Sequence, residues 1–338
     1  MRLGFIGCGG IANAHMSDVL KLKEKGVEVE VTVLVDINLE NARKFREKWK
    51  LGNVKIVDDY RKIVNDVDSV IICTPHAFHY EQALFFLENG KHVLVEKPMV
   101  CKIEEAVKLM EVAKENNLIL EVAFQRHFKP KFIRVREFIR EGGLGEVKAI
   151  LLELYQDWYQ HFKNTWRTKR NISCGGELLD SGSHIIDIAF WTTGLKPLEV
   201  FALMDFYDTE VDINSSVSGR LSNNALLSYL VVGSSPGFGE REVFYGTKGK
   251  LEIYGEKLVF YDFENKEHVL DYSTLKSSRP LFNFVDAING RDENKSPPIN
   301  GLYVAAFYEV AYKSYLERRP VTIEELFEEK GINYKKYF

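Results

Sequence analysis

Along its opening third the chain repeats one pattern: a short apolar, mostly β-branched run, then a longer segment whose apolar residues recur every three or four positions. Such runs, alternating with amphipathic helices, are the mark of βαβ units and a buried parallel sheet. The pattern predicts strands at Arg2 to Ile6, Glu28 to Asp36, Ser69 to Thr74, His92 to Glu96 and Ile119 to Val122. Between them AHMSDVLKLKEKG, LENARKFREKWK, HYEQALFFLENG and IEEAVKLMEVAKENN read as helices, and several close on Gly or Asn, as helix C-termini commonly do. Beyond Phe124 the texture changes. EVKAILLELYQDWYQ, LEVFALMDFYD, NSSVSGRL, ALLSYLVVG, REVFYGTKGKLEIYG and KLVFYDF look like strands of an antiparallel meander, and FNFVDAINGR and GLYVAAFYEVAYKSYLERR are helical by period. The expected fold is α/β: a doubly wound parallel domain over 1–123, then an α+β domain with a large open, mostly antiparallel sheet over 124–338. The C-terminal helix is free to pack back on the first domain. At 338 residues two cores are the ordinary outcome.

One helical stretch departs from the usual surface pattern. GGELLDSGSHIIDIAFW carries Asp180, His184 and Asp187 at spacings of four and three, which a helix puts on one face. From Gly176 to Leu195 there is no Lys or Arg, whereas exposed helix faces are rich in both. The helix is therefore expected to be covered on most sides, and its buried polar groups to be paired or used.

The first strand runs into LGFIGCGGIANAHM, where Gly7, Gly9 and Ala12 fit G-x-G-x-x-G/A at a strand-to-helix junction, with Gly10 and Ile11 inside the turn. Glycines let a backbone approach a pyrophosphate, whose charge sits on the helix N-terminus. The second strand ends at Asp36, 24 residues after Ala12, where a carboxylate can accept from ribose hydroxyls and would repel a 2′-phosphate. Ile37 and Asn38 supply no cation for such a phosphate, so NAD is expected over NADP. Thr74 and Pro75 end a third strand, and Glu96 and Lys97 a fourth. In open α/β sheets ligands bind beyond these carboxyl ends.

Composition narrows the partners. A net charge of −4 leaves no basic footprint for nucleic acid, and no apolar run is long enough to span a bilayer. The opening MRLGFIGCGG is a strand and turn and lacks the pattern of a secretory leader, so a cytoplasmic protein is expected. Cys8, Cys73, Cys101 and Cys174 have no CxxC spacing, which argues for reduced, buried thiols over a disulfide framework or a zinc site. His76 and His79 lack a carboxylate or thiol cluster, and no metal is expected. Trp158, Tyr159 and Trp166 could stack on sugar rings, whereas Trp191 reads as core.

With the glycine turn, VLVEKP and GGELLDSGSH taken together, the chain resembles the Gfo/Idh/MocA oxidoreductases, along nearly its whole length. TWRTKRNISCGG, FYGTKGKLEIYG and AAFYEVAYKSYLERRPV follow in the order of that family's landmarks. The resemblance implies a Rossmann domain, a second domain whose sheet makes a homodimer or homotetramer, and NAD(P)-dependent dehydrogenation of CH–OH groups in sugars, cyclitols or polyols. It makes Lys97, Asp180 and His184 the catalytic group. It adds Thr74, Pro75, His76, His79, Glu96 and Lys97 to the cofactor set, with His76 standing where the family commonly has Asn. Arg126 and Arg167, with Tyr155, join Lys97, Asp180 and His184 as substrate-binding candidates. Oxidising an alcohol needs a base and an alkoxide stabiliser; an imidazole suits proton transfer near neutrality, and an ammonium can stabilise the alkoxide or, desolvated, act as base. The choice between Lys97 and His184 stays open, with Asp180 orienting the imidazole or holding a substrate hydroxyl, and Asp187 in support. A glycosidase using NAD without net redox, and a nucleotide-binding regulator without turnover, are the competing readings.

Overall fold

The computed structural model describes residues 1–338. It divides into two units, the first made of Met1–Val100, Glu105–Gln125 and Ser278–Gly301, the second of Cys101–Glu104, Arg126–Ser277 and Leu302–Phe338. The expected division at 123/124 misses the return of Ser278–Gly301 to the first unit. Helix Pro280–Ile288 explains it, because Leu281, Phe284 and Val285 complete the core that Leu3, Phe5, Met16, Val19 and Ala123 build.

In the first unit, β1 (Arg2–Ile6), β2 (Glu30–Val35), β3 (Lys55–Val57), β4 (Ser69–Ile72), β5 (His92–Val95) and β6 (Leu120–Val122) form a sheet in the order β3-β2-β1-β4-β5-β6. All its pairings are parallel, and the order reverses direction between β1 and β4, where doubly wound sheets bind ligands. The strands anticipated from the sequence are present within one or two residues of their expected ends. Only β3 goes unread, since its KIV is partly exposed and lacks the buried apolar run of the other strands. Helix Leu39–Trp49 starts where the Asn38 side chain accepts from Glu40 N at 3.1 Å.

The second unit is a nine-stranded sheet. Its strands are β7 (Val147–Gln156), β8 (Pro197–Asp205), β9 (Asn214–Leu221), β10 (Leu226–Val232), β11 (Phe238–Gly246), β12 (Gly249–Tyr254), β13 (Lys257–Asp262), β14 (Glu267–Val269) and β15 (Val321–Thr322). Only β7 and β10 pair parallel. Ile150, Leu152 and Leu154 on β7, Leu227, Tyr229 and Val231 on β10, and Phe244 on β11 are buried on one face. This face lies under helix Gly182–Thr193, to which the Tyr229 hydroxyl donates at Gly182 O, 2.9 Å. The alternate residues form an opposite face on which Leu203, Leu226, Leu230, Tyr245 and Tyr254 are exposed.

The thiols divide, against the expectation that all four are reduced. Cys101 and Cys174 form a disulfide across 73 residues of chain. Spacing along the sequence could not expose it, because the four residues Cys101–Glu104 fold with the second unit and bring the two sulfurs together. Cys8 and Cys73 are free and buried; burial pushes the Cys8 thiol up to about 12 and Cys73 well above its ordinary range. No helix is long and apolar enough to cross a membrane.

Candidate active site

The nucleotide end of the first unit is built from the glycine turn. Gly7 has φ +90°, and a Cβ there would lie 2.9 Å from the Cys73 backbone, so only glycine fits. At Gly9 and Gly10 a Cβ would meet nothing within 4 Å; their backbone faces open space at the start of helix Gly10–Glu24, whose first turn holds no acidic residue. Both features suit an approaching pyrophosphate. Ala12 is buried and Ile11 exposed at the rim. Asp36 is tied to the turn: Oδ2 accepts from Cys8 N at 3.0 Å, and Oδ1 from Asn38 N at 2.9 Å. Ile37 beside it is 94% exposed.

The ends of β4 and β5 are locked together by a histidine. His79 is fully buried, with Nδ1 2.7 Å from Pro98 O and Nε2 2.8 Å from Thr74 O. It therefore positions the two strand-end turns, and the expectation that its side chain contacts the cofactor is corrected: the ring has no surface to offer. Burial lowers its pKa, opposed by the two carbonyls. His76 is buried beside it, ring centroids 5.9 Å apart. Thr74 Oγ1 donates to Gln82 Oε1 at 2.7 Å after Pro75. Lys97 is half-buried on a cis bond to Pro98, and its N–H donates to Glu96 Oε2 at 3.2 Å. The other Glu96 oxygen lies 2.7 Å from His15 Nε2, both side chains buried. His15 was missed, although its place on the Ala12–Met16–Val19 face was legible from the helical period.

In the second unit, helix Gly182–Thr193 begins later than the sequence suggested, and Asp180 lies in the preceding turn. Asp212 holds that turn. Its fully buried carboxylate accepts from Gly176 N and Leu178 N, each at 2.8 Å, from Ser215 Oγ at 3.3 Å, and from the Tyr312 hydroxyl. A Cβ on Gly176 would sit 1.8 Å from Asp212 O, and one on Gly175 1.7 Å from the Tyr308 hydroxyl. The Gly175–Gly176 pair is thus a packing requirement. Asp180 is pinned within this turn, where Oδ2 accepts from Trp158 Nε1 at 3.0 Å and from Arg167 Nε at 2.9 Å. Gln156 donates from Nε2 to Ser181 Oγ at 2.6 Å and Glu177 Oε1 at 2.5 Å. Every residue from Gly182 to Thr192 is buried except His184. Of the proposed stripe, Asp187 turns elsewhere: it bonds the buried His127 at 2.8 Å, and Trp191 stacks on that imidazole with centroids 4.3 Å apart.

Two further candidates are placed differently from expectation. Tyr155 faces away from Gly182–Thr193, because period-two alternation puts it on the face opposite Leu154, with its ring against Gly239. As a substrate-binding candidate it therefore lies on the face away from the Asp180 turn, and Gln156, one residue on, reaches Ser181 and Glu177 of that turn. Arg126 spends its fork inside the unit, donating to Glu240 at 3.0 and 2.6 Å and lying 3.5 Å from Glu242.

Glu242 is fully buried, and desolvation, reinforced by Glu240 and opposed by Arg126, pushes its pKa up to about 7. The native state thus holds this proton more tightly than the unfolded chain, near 4.5. The associated stability is complete below about 4.5 and lost as pH rises through about 7. Glu242→Gln should therefore match wild type in thermal melts at pH 4.5 and exceed it at pH 8 by up to about 3 kcal/mol.

A glycine turn at the switch point of a parallel sheet, a carboxylate at the end of the next strand, and a half-buried histidine four residues after a pinned aspartate are the features of a nicotinamide-dinucleotide oxidoreductase. Residues 1–124 match the profile described as oxidoreductase family, NAD-binding Rossmann fold, and 132–252 match the GFO/IDH/MocA C-terminal domain. The chain belongs to the Gfo/Idh/MocA family of oxidoreductases, dehydrogenases of CH–OH groups. It is similar to scyllo-inositol 2-dehydrogenase (NADP(+)) of Bacillus subtilis, 26% identical over 98% of this chain and 90% of that protein. It also resembles myo-inositol 2-dehydrogenase of Thermotoga maritima, 25% identical over 96% and 99%. In fold it is similar to levoglucosan dehydrogenase in complex with NADH, at a TM-score of 0.85 and 21% identity over 96% and 99% of the two chains.

Proposed function

We propose that the protein oxidises a secondary alcohol of a sugar, cyclitol or related polyol, with NAD preferred over NADP. Bound nicotinamide would supply the hydride acceptor at C4. Of the chain's own groups, His184 takes the hydroxyl proton, Lys97 stabilises the developing alkoxide, and Asp180 holds substrate in register. The partial accessibility of His184 along an otherwise buried helix carries this reading: a titratable ring stays half-buried while its neighbours are fully covered. Arg167 shares its guanidinium between Asp180 and the rim, being about one-third exposed (30%), and fits a substrate hydroxyl as well. The names of relatives support the substrate class, since they include inositol dehydrogenases and the D-glucoside 3-dehydrogenase of Escherichia coli. A panel of sugars, cyclitols and their acids tested for NADH formation decides it. Free sugar released without NADH would replace this reading with NAD-assisted glycoside cleavage, and no turnover on any panel member would favour a regulator.

The preference for NAD rests on Asp36 and on the absence of a cation at Ile37 and Asn38. Asp36→Ser with Ile37→Arg should invert the ratio of kcat/KM for NAD and NADP by about 10²-fold or more, about 3 kcal/mol; an unchanged ratio removes Asp36 from the role. We also assign the open sheet face bearing Leu203, Leu226, Leu230, Tyr245 and Tyr254 to a homodimer or homotetramer contact, because that much exposed apolar surface favours a partner. Light scattering that gives a monomer at micromolar concentration would refute it.

A further inference from the structure

Beside the Asp180 turn, the second unit carries a groove that the reaction above does not use. It has a volume of about 470 Å³ and is lined by Tyr159, Gln160, Tyr207, Asp208 and Ser234. The two tyrosine rings pack against each other along it, with centroids 5.4 Å apart and planes inclined by 59°. Both hydroxyls are fixed. Tyr159 donates to Asp208 Oδ1 at 2.5 Å; Tyr207 donates to Ser234 Oγ and accepts from Asn214 Nδ2, each at 3.0 Å. The Lys163 ammonium lies over the Tyr159 ring at 5.6 Å, which leaves Tyr207, about half exposed (52%) at φ +49°, as the face available for stacking. A large aromatic held at positive φ, on the surface and with its hydroxyl tied down, is costly for a solvated side chain.

The groove is physically joined to Asp180. Trp158 and Tyr159 are consecutive residues of the turn Trp158–Phe162. The first sends its indole inward to Asp180, and the second forms the groove wall. Groove wall and Asp180 partner thus stand one residue apart along this turn.

We propose that this groove is a second saccharide subsite, which takes a neutral pyranose ring joined to the ring whose hydroxyl is oxidised. A pyranose offers an apolar C–H face to Tyr207 and a rim of hydroxyls to Asp208, Gln160 and Ser234, the mix of apolar wall and few polar groups that small-molecule sites use. Asp208 is held ionised by the Tyr159 hydroxyl, so phosphorylated or uronic rings are disfavoured there. The proposal rests on the oxidoreductase reading, and its test separates the two.

Initial rates of NADH formation are measured for D-glucose against cellobiose and maltose, and for myo-inositol against galactinol, with wild type, Tyr207→Ala and Tyr207→Phe. At least one glycosylated member should show a KM about tenfold below its parent. Tyr207→Ala should raise that KM about tenfold with kcat within twofold and the parent's KM unmoved, while Tyr207→Phe stays within about threefold. A glycosylated member no better than its parent in every pair, or Tyr207→Ala shifting parent and glycoside alike or neither, overturns the subsite. If none of the sugars yields NADH, the oxidoreductase assignment on this panel fails independently. The groove is then read by saturation-transfer NMR with cellobiose and galactinol. Transfer that is lost in Tyr207→Ala supports the subsite; no transfer to wild type, or transfer unchanged by Tyr207→Ala, overturns it.

Discussion

His184→Ala should lower kcat by about 10³-fold, roughly 4 kcal/mol of barrier, while the dissociation constant for NAD stays within about threefold. The split follows from placement. His184 belongs to the second unit, whereas the glycine turn and Asp36, proposed above to read the dinucleotide, belong to the first. From Gly182 to Thr192 its helix is otherwise buried, and His184 alone is partly accessible. Lys97→Ala should bring a comparable loss of turnover on the role proposed for it, because an ammonium that stabilises a developing alkoxide in a partly dry site contributes several kcal/mol to the transition state alone. Steady-state kinetics with fluorescence titration of NADH measures both quantities. Turnover near that of wild type in either variant would remove that residue from the chemistry, and the pH dependence of the surviving variant would show which of the two carries the proton.

Asp212→Ala should cost about 3–5 kcal/mol of stability and take activity with it. The carboxylate is fully buried and accepts from two backbone N–H groups, a serine and a tyrosine. Removing it strands all four donors without water. Asp212→Asn keeps the shape and part of the acceptor capacity, and should lose less. Because Gly176 N and Leu178 N are among the stranded donors, the turn that places Asp180 loosens first. Calorimetry should therefore show a lowered melting temperature, and residual enzyme assayed well below it should show reduced kcat. A melting temperature within about 2 °C of wild type would mean that other contacts hold the turn.

Most of the first unit was legible in the sequence because its information is local. A buried parallel strand reads as an apolar run, a glycine turn has a fixed spacing, and Asp36 ends a recognisable strand. His15 was legible by the same means, one turn along the face of Ala12 and Met16. Parity, by contrast, had to be seen. Tyr155 and Gln156 are neighbours in a strand of ten residues, and which of them reaches Ser181 depends on the face covered by Gly182–Thr193, which no local pattern states. Asp187 shares a helical period with His184, yet the partner that absorbs it, His127, is 60 residues earlier.

The sequence alone determined the parallel sheet, the dinucleotide turn and most strands of the second sheet, since periodicity, steric demands on glycine and motif spacing are all properties of short segments; the trio Lys97, Asp180 and His184 came from the family resemblance. Tertiary structure alone decided that Cys101 meets Cys174, that residues 278–301 complete the first core, that His79 is buried between the carbonyls of Thr74 and Pro98, and that Asp212 holds the turn carrying Asp180. In each case the free energy comes from groups far apart in the chain whose value to one another exists only once water between them has been excluded.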